Sequence, residues 1–263
     1  MSKAAYFYSS NAGDLDHLVR QSTRLGVDWP ENVSKLIEKR KALLAAYRDV
    51  EPVAPEQWTL KTLETVVGDL ALDHAAAAYR RDALATLAVP LDRELRRALL
   101  DAWPTVHAGM AEKFAQHAKT YTEAAVQVPL DLDEADLMRA PSDVLSAYST
   151  ARVEAGVLNT IVQAMRAVEA GLHVSDGGSA PRSFDYCAPE SVKQAERIDI
   201  GRVGDRKLSD NSALNLLGVS FLAAVHEGVS LRLHRNTERR DLFEALSDPA
   251  PVRPRKKAVS NGR

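Results

Sequence analysis

The most regular apolar pattern of the chain is LRRALLDAWPTVHAGMAEKFAQHAKTYTEAAVQV, residues 95–128. Its repeating positions follow steps of four, four and three residues, so Leu95, Val106, His117 and Val128 are each eleven residues apart. Eleven residues in three turns correspond to about 3.67 residues per turn, close to the natural period of an α-helix. The pattern therefore predicts a long, nearly straight helix, and the burial of its apolar face decides the fold.

We name this face the 95–128 seam. It consists of Leu95, Leu99, Trp103, Val106, Met110, Phe114, His117, Tyr121, Ala125 and Val128. The three aromatic members stand at the spacing that burial alone requires, which favours a core over a cofactor site. His117 lies on the same face, and we expect it to form a hydrogen bond to another helix.

Two helices are predicted before the seam. Asp28 can cap a helix over residues 29–48, and Pro30 has the fixed φ that suits a first turn. The second predicted helix covers residues 56–88. An alanine run at residues 75–78 lies in its middle, and such small side chains let a neighbouring helix approach closely.

The seam itself is interrupted, and one more long helix follows it. Pro104 removes a hydrogen bond from the ladder and Asp101 can cap a restarted helix, so we expect a kink or two helices in line. A further helix begins at Ser142. We expect it to end at Gly171 in the left-handed conformation, with Leu172 packing back onto the body.

The sequence predicts a mainly α fold: an elongated antiparallel helical bundle of long amphipathic helices, followed by a small α+β C-terminal part. The expected divisions are a helical body over residues 1–171, a flexible Gly/Ser/Pro loop over 172–190, an α+β tailpiece over 191–248, and a disordered basic tail over 249–263. In the tailpiece, ERIDIGRVGDRKL and GVSLRLHR alternate like strands, whereas SALNLLGVSFLAAV and TERRDLFEALSD are typical of helices.

Composition limits the classes of function. The chain has 263 residues and a formal net charge of -2, which argues against nucleic-acid binding over its whole surface. The first residues contain neither a signal-peptide pattern nor a membrane-spanning run, so we expect a soluble cytoplasmic protein without membrane attachment. The single cysteine, Cys187, excludes an internal disulfide and fits a reducing compartment.

The search for catalytic patterns gives no positive result. The chain has no phosphate-binding glycine loop, no zinc spacing and no nucleophile elbow. A di-metal centre in a helical bundle needs Glu-x-x-His pairs, and none of the seven histidines follows a glutamate at that spacing. We therefore expect no enzyme, no cofactor and no metal.

The sequence from residue 170 onward resembles the histidine-containing phosphocarrier family of the sugar phosphotransferase system. GLH at residues 171–173 matches the start of the family's phosphorylation motif, and EGVSLRLHRNTERRDLFEAL is similar in pattern to its last strand and helix. The resemblance implies the order hairpin, helix, strand, helix, with His173 as phosphoacceptor. VSD at residues 174–176 stands where the family has an arginine and a proline.

A shorter stretch, LLGVSFLAAV at residues 216–225, resembles the turn of helix-turn-helix repressors. In that family a polar recognition helix follows the turn and contacts base edges. Here FLAAV at residues 221–225 occupies those positions. Apolar side chains cannot form hydrogen bonds to bases, so the pattern favours a buried helix instead.

The C-terminal stretch PAPVRPRKKAVSNGR is rich in proline and basic residues, which predicts disorder. Its clustered cations are Arg253, Arg255, Lys256 and Lys257. One interpretation is a solvated terminus. The other is a partner-binding arm that docks on an acidic protein or on the phosphates of nucleic acid.

These observations together predict a non-enzymatic helical protein that functions in protein–protein interaction, assembly or scaffolding. The 95–128 seam is long, so we expect part of it to be covered by a second copy in a homo-oligomer. Two alternatives stay open: a phosphocarrier that uses His173, and a nucleic-acid-associated protein that uses the basic tail.

Overall fold

The structure, a computed structural model, describes residues 10–45, 63–174 and 180–247. These residues are mainly helical, which confirms the predicted fold class. The longer helices are α1 (Ser10–Arg24), α2 (Glu31–Ala45), α3 (Leu63–Ala125) and α5 (Ser142–Leu172), with the single turn α4 (Glu134–Leu137) before α5.

The segment after residue 180 is built from short elements. They are a 3₁₀ turn at Arg182–Asp185, α6 (Val192–Asp199), β1 (Arg202–Val203), β2 (Arg206–Lys207), a 3₁₀ turn at Leu208–Asp210, α7 (Ser212–Asn215), α8 (Val219–His226) and α9 (Asn236–Ser247). Strands β1 and β2 form an antiparallel hairpin in which Arg202 faces Lys207. The strand content is smaller than predicted, because the GVSLRLHR stretch forms only one isolated bridge, Leu231 to Cys187.

The chain divides into two compact units. Unit 1 comprises Met1–Met110 and Gln163–Ser175, and unit 2 comprises Ala111–Val162 and Asp176–Arg263. The predicted body, loop, tailpiece and tail stay a prediction. Within unit 2, the segment after residue 180 packs on the second half of α3 and the first half of α5. The tyrosine hydroxyls show this packing: Tyr121 donates to the Leu217 carbonyl and Tyr148 to the Ala213 carbonyl, each at 2.8 Å.

Most of the 95–128 seam is buried, as the spacing predicts. Leu95, Leu99, Phe114, Tyr121 and Ala125 have no exposed surface. The two predicted helices are joined in one helix, α3, which continues through both Pro90 and Pro104 and ends at Ala125. The first predicted residues, 56–62, lie outside the described residues. Each proline removes one ladder hydrogen bond, and the burial of seam residues on both sides of Pro104 offsets that loss.

An aromatic cluster forms the centre of unit 2. The Phe221 ring of α8 lies 4.8 Å from the ring centre of Tyr186, 6.1 Å from that of Tyr121 and 6.5 Å from that of Phe114. Tilted and edge-on ring pairs at such separations stabilise a core beyond the area that they bury. The cluster therefore holds α8 against the seam.

Apolar packing and a buried ion pair stabilise the described part of unit 1. Leu18 of α1 has no exposed surface, and the Arg40 Nε of α2 lies 2.7 Å from the Asp92 Oδ1 of α3. Both members of this pair are more than nine-tenths buried. Removing one member of such a pair leaves an uncompensated buried charge, so the contact fixes α2 on α3.

The end of α5 corrects the prediction for Gly171. The helix continues to Leu172, and the residue in the left-handed region is His173, with φ 55°. The His173 amide donates to Ala170 O at 3.1 Å and the Val174 amide donates to Glu169 O at 3.0 Å, which is the Schellman pattern with His173 at the C′ position.

Gly171 has a different physical role. A Cβ placed there would lie 2.6 Å from Leu18 Cβ, so only a glycine allows α1 to approach α5 this closely. Leu172 is buried, which confirms that it packs back onto the body.

Candidate interaction surface

His173 is exposed at the C-terminal end of α5. The helix dipole makes the C-terminal end of a helix partly negative. Electrostatic repulsion therefore disfavours a negatively charged phosphoryl group on the His173 imidazole. The element order that the phosphocarrier resemblance implies is also incomplete, because the described residues between α8 and α9 form no strand. Residues 175–179 of the loop lie outside the described residues.

Cys187 is fully buried, and its Sγ donates to the Ser183 carbonyl at 3.2 Å. Burial raises the pKa of this thiol far above its usual range, and the neighbouring Asp199 and Asp185 raise it further. The thiolate is the reactive form of cysteine. The environment of Cys187 therefore suits packing and not nucleophilic chemistry.

His117 makes the interhelical contact that the sequence predicts. Its Nδ1 lies 2.6 Å from the Glu154 Oε2 of α5, and the carboxylate is the more buried of the two side chains. The pair connects α3 to α5 within unit 2. This contact between two helices is the structural role that the sequence predicts for His117.

Helix α8 begins after Gly218, which adopts φ 70°, so a turn does precede this helix as in the repressor resemblance. All five residues of the 221–225 stretch are buried. A recognition helix must expose these positions to reach the major groove. The burial of 221–225 confirms the prediction of a core helix.

The polar groups around the 3₁₀ turn Arg182–Asp185 hold the C-terminal segment together. Asp199 accepts from the Arg182 and Ser183 amides at 2.7 and 2.6 Å, and Asp185 pairs with Arg239 of α9. Burial raises the pKa of Asp199, while its hydrogen bonds lower it. These carboxylates form hydrogen bonds and an ion pair within the chain, so their role is to stabilise the C-terminal segment.

A shallow groove of about 350 Å³ lies between residues 130–131 and 206–214 of unit 2. Three of its polar side chains, Lys207, Asp210 and Asn211, bind protein groups. Lys207 Nζ lies 3.2 Å from Asp210 Oδ1, and the Asn211 amide donates to Leu132 O and caps α7 through its oxygen. None of these contacts points to a ligand.

The structure also bears on metals, membranes and the tail. Among the residues described, no three histidine, cysteine or carboxylate side chains could hold a metal ion together. No helix in the described ranges is long and apolar enough to cross a membrane. The predicted tail residues Arg253, Arg255, Lys256 and Lys257 lie outside the described residues, so their role stays a prediction.

Among the described residues, a row of exposed apolar side chains lies on the first half of α3, within unit 1. Tyr79, Leu72 and Leu87 are 83%, 70% and 58% exposed. Between them lie the small exposed residues Ala76 and Ala83. Large apolar side chains with this exposure are individually common on protein surfaces, whereas a contiguous row of them marks an interaction site.

We name this row the α3 stripe; it consists of Gly68, Leu72, Ala76, Tyr79, Ala83 and Leu87. Its steps are four, four, three, four and four residues, and at 3.6 residues per turn they confine it to an arc of about 100°. No atom lies within 4 Å of a Cβ built at Gly68. Along the stripe, three large apolar side chains therefore alternate with three small residues on one helix face.

Sequence reasoning located only part of this surface. The alanine run at residues 75–78 predicts close helix approach, and Ala75 and Ala76 are exposed. The sequence pattern instead predicts a partner on the 95–128 seam. That seam is buried inside the chain, so it gives no reason for a second copy.

No protein family, curated protein or solved structure matches the chain.

Proposed function

We propose that this protein is a non-enzymatic interaction protein that assembles with a partner through the α3 stripe. The observation that carries the proposal is the alignment of Leu72, Tyr79 and Leu87 on one exposed helix face. In this proposal the protein acts in the cytoplasm, as its single buried cysteine favours.

The free energy of burial supports this assignment. Covering one large apolar side chain contributes about 1.5–3 kcal/mol relative to leaving it in water. Three such side chains on one face therefore provide several kcal/mol for association, while the small residues between them let a partner backbone come close. The face contributes none of this energy while it stays in contact with water.

The two alternatives have weaker support. The phosphocarrier proposal requires a phosphate beside the negative end of α5, where His173 lies. The nucleic-acid proposal depends on tail residues outside the described ranges. We keep both as hypotheses and place the interaction role first.

Site-specific photo-crosslinking tests the proposal. A benzoylphenylalanine at position 79 is placed on the stripe, and the matched control carries it at Val153 of α5, which is 63% exposed. Irradiation of cells that make each variant should give covalent protein adducts from position 79 and far fewer from position 153. Equal yields, or no adduct from position 79, would overturn the proposal.

A further inference from the structure

We infer that the partner on the α3 stripe is the stripe of a second copy of this chain, packed antiparallel about a two-fold axis. This inference rests on the proposed interaction role and specifies its partner. It is carried by a symmetry in the stripe: the spacing four, four, three, four, four is the same in both chain directions.

The symmetry pairs every large side chain with a small residue. Around the midpoint between residues 77 and 78, Leu72 of one copy lies opposite Ala83 of the other, and Ala76 lies opposite Tyr79. At the ends, Leu87 lies opposite Gly68, where open space is present. An isologous interface requires such self-complementarity, because each residue pair occurs twice.

The same residues argue against a parallel pair. With two stripes aligned in the same direction and in register, Tyr79 meets Tyr79 and Leu72 meets Leu72, while Ala76 meets Ala76. Large side chains then hold the helices apart where small ones leave gaps. Close packing needs the opposite arrangement, in which ridges enter grooves.

The size of the contact sets its expected strength. The stripe covers 20 residues, about 30 Å of helix at 1.5 Å per residue. A contact about 13 Å wide along this length buries roughly 800 Å² in total, below the roughly 1,200 Å² typical of stable complexes. Beyond Leu87 the same face continues with the exposed charges of Arg97 and Asp101, which limit further apolar contact. Contacts below this size are typical of transient association, so we expect a reversible dimer.

Cysteine cross-linking of the full chain tests the register. Under mild oxidation, a mixture of Leu72→Cys and Ala83→Cys chains should form covalent dimers, whereas either variant alone should form few. Wild-type protein is the background control, since its only cysteine is buried. A mixture of Leu72→Cys with Val153→Cys controls for random collision. Cross-linking of Leu72→Cys alone as efficient as the mixture would overturn the antiparallel register.

A size exchange provides an independent test. Ala83→Leu places leucine against leucine and should weaken dimerisation about tenfold or more, and Leu72→Ala should also weaken it through a gap. The double variant Leu72→Ala/Ala83→Leu restores one large and one small residue in each pair, so its dissociation constant should return to within about threefold of wild type. Additive losses in the double variant would overturn the inference.

The outcomes separate this inference from the proposed function. If position 79 forms adducts with a different protein in cells while the purified chain shows neither mixed cross-links nor size rescue, the partner is not a second copy and the inference fails alone. If position 79 forms no adducts and the purified chain also shows no mixed cross-links, both fail. Mixed cross-links together with size rescue support both.

Discussion

Tyr79 and Tyr121 lie on the same helix in opposite environments. Tyr121 has no exposed surface, its hydroxyl binds the Leu217 carbonyl and its ring packs on Phe221. Tyr79 is 83% exposed. The later chain covers α3 around Tyr121, because Leu217 and Phe221 contact it there. None of the described residues covers the stripe around Tyr79 in this way. Apolar periodicity thus identifies a face that needs burial, but it does not identify what covers that face.

The largest expected effect is a difference in the free energy of unfolding between a substitution on the buried seam and one on the α3 stripe. Phe114→Ala removes a fully buried ring beside Phe221, so we expect a loss of about 3–5 kcal/mol in the free energy of unfolding through cavity formation. Leu72→Ala on the stripe should change the same quantity by less than about 0.5 kcal/mol. Urea denaturation of dilute protein, followed by circular dichroism, measures both. A loss below about 1 kcal/mol for Phe114→Ala would show that the seam is not a core.

A smaller effect is expected for alanine substitutions at two glycines of α5, which should change the stability in opposite directions. Gly171→Ala forces a Cβ against Leu18, and we expect a destabilisation of about 1–3 kcal/mol. Gly156→Ala is the matched control, since nothing lies within 4 Å of its added Cβ; it should stabilise by about 0.5–1 kcal/mol through helix propensity. Thermal melts of both variants measure the sign of each change. Equal shifts would contradict the close approach of α1 to α5.

Removing the hydroxyl group of Tyr121 or of Tyr79 tests the difference between the buried and the exposed tyrosine. Tyr121→Phe deletes the hydroxyl that donates to Leu217 O, which should cost about 1 kcal/mol and leave a buried carbonyl with one partner fewer. Tyr79→Phe keeps the apolar ring at an exposed site and should leave the monomer's free energy of unfolding within about 0.5 kcal/mol of wild type. Equilibrium denaturation that ranks the two variants the other way would contradict the assignment of core and surface.

The smallest expected effect is a pH dependence. Burial lowers the pKa of His234, and Arg232 and Arg239 lower it further, although its bond to the Phe184 carbonyl raises it. Because the unfolded state then binds more protons, the stability from neutral His234 is present above its unfolded pKa of about 6.5 and is lost as pH falls through the folded value.

His234→Asn tests this prediction. The asparagine amide can donate to the Phe184 carbonyl in place of Nδ1, but it does not titrate. The free energy of unfolding should therefore fall less steeply from about pH 7 to about pH 5 than in wild type. An unchanged slope would show that His234 does not couple folding to protonation.

The helical part of the fold was largely predictable, because helix periodicity is a local property of the sequence. The buried seam residues of α3 followed from their spacing alone. Helix α1 could also have been recognised, since Leu15, Leu18, Val19 and Ser22 recur at steps of three and four and are all buried. The end of α5 was misplaced because glycine is the usual left-handed residue, whereas here His173 takes that conformation.

The predicted strand failed for a non-local reason. The Arg232 and His234 amides donate to Tyr186 O and Asp185 O, so the GVSLRLHR stretch does pair with another segment. That segment includes the end of a 3₁₀ turn, which cannot extend a ladder. Alternation alone does not reveal the geometry of the pairing partner.

For the α3 stripe, the sequence predicted only that small residues allow close approach of another helix. The alanine run indicates that α3 tolerates close approach, but the exposure of Leu72, Tyr79 and Leu87 depends on where all other helices lie. No local pattern contains that information. The symmetry of the stripe became meaningful only after its exposure was known.

Sedimentation equilibrium over about 1 to 100 µM tests the central claim, that the α3 stripe is a self-association surface, most directly. For the wild type we expect a mass that rises from the monomer value of 28.7 kDa towards twice that value. Tyr79→Asp should stay monomeric throughout, while Val153→Asp should associate like wild type. A wild type that stays monomeric at the highest concentration, or a Tyr79→Asp variant that associates equally well, would contradict the account.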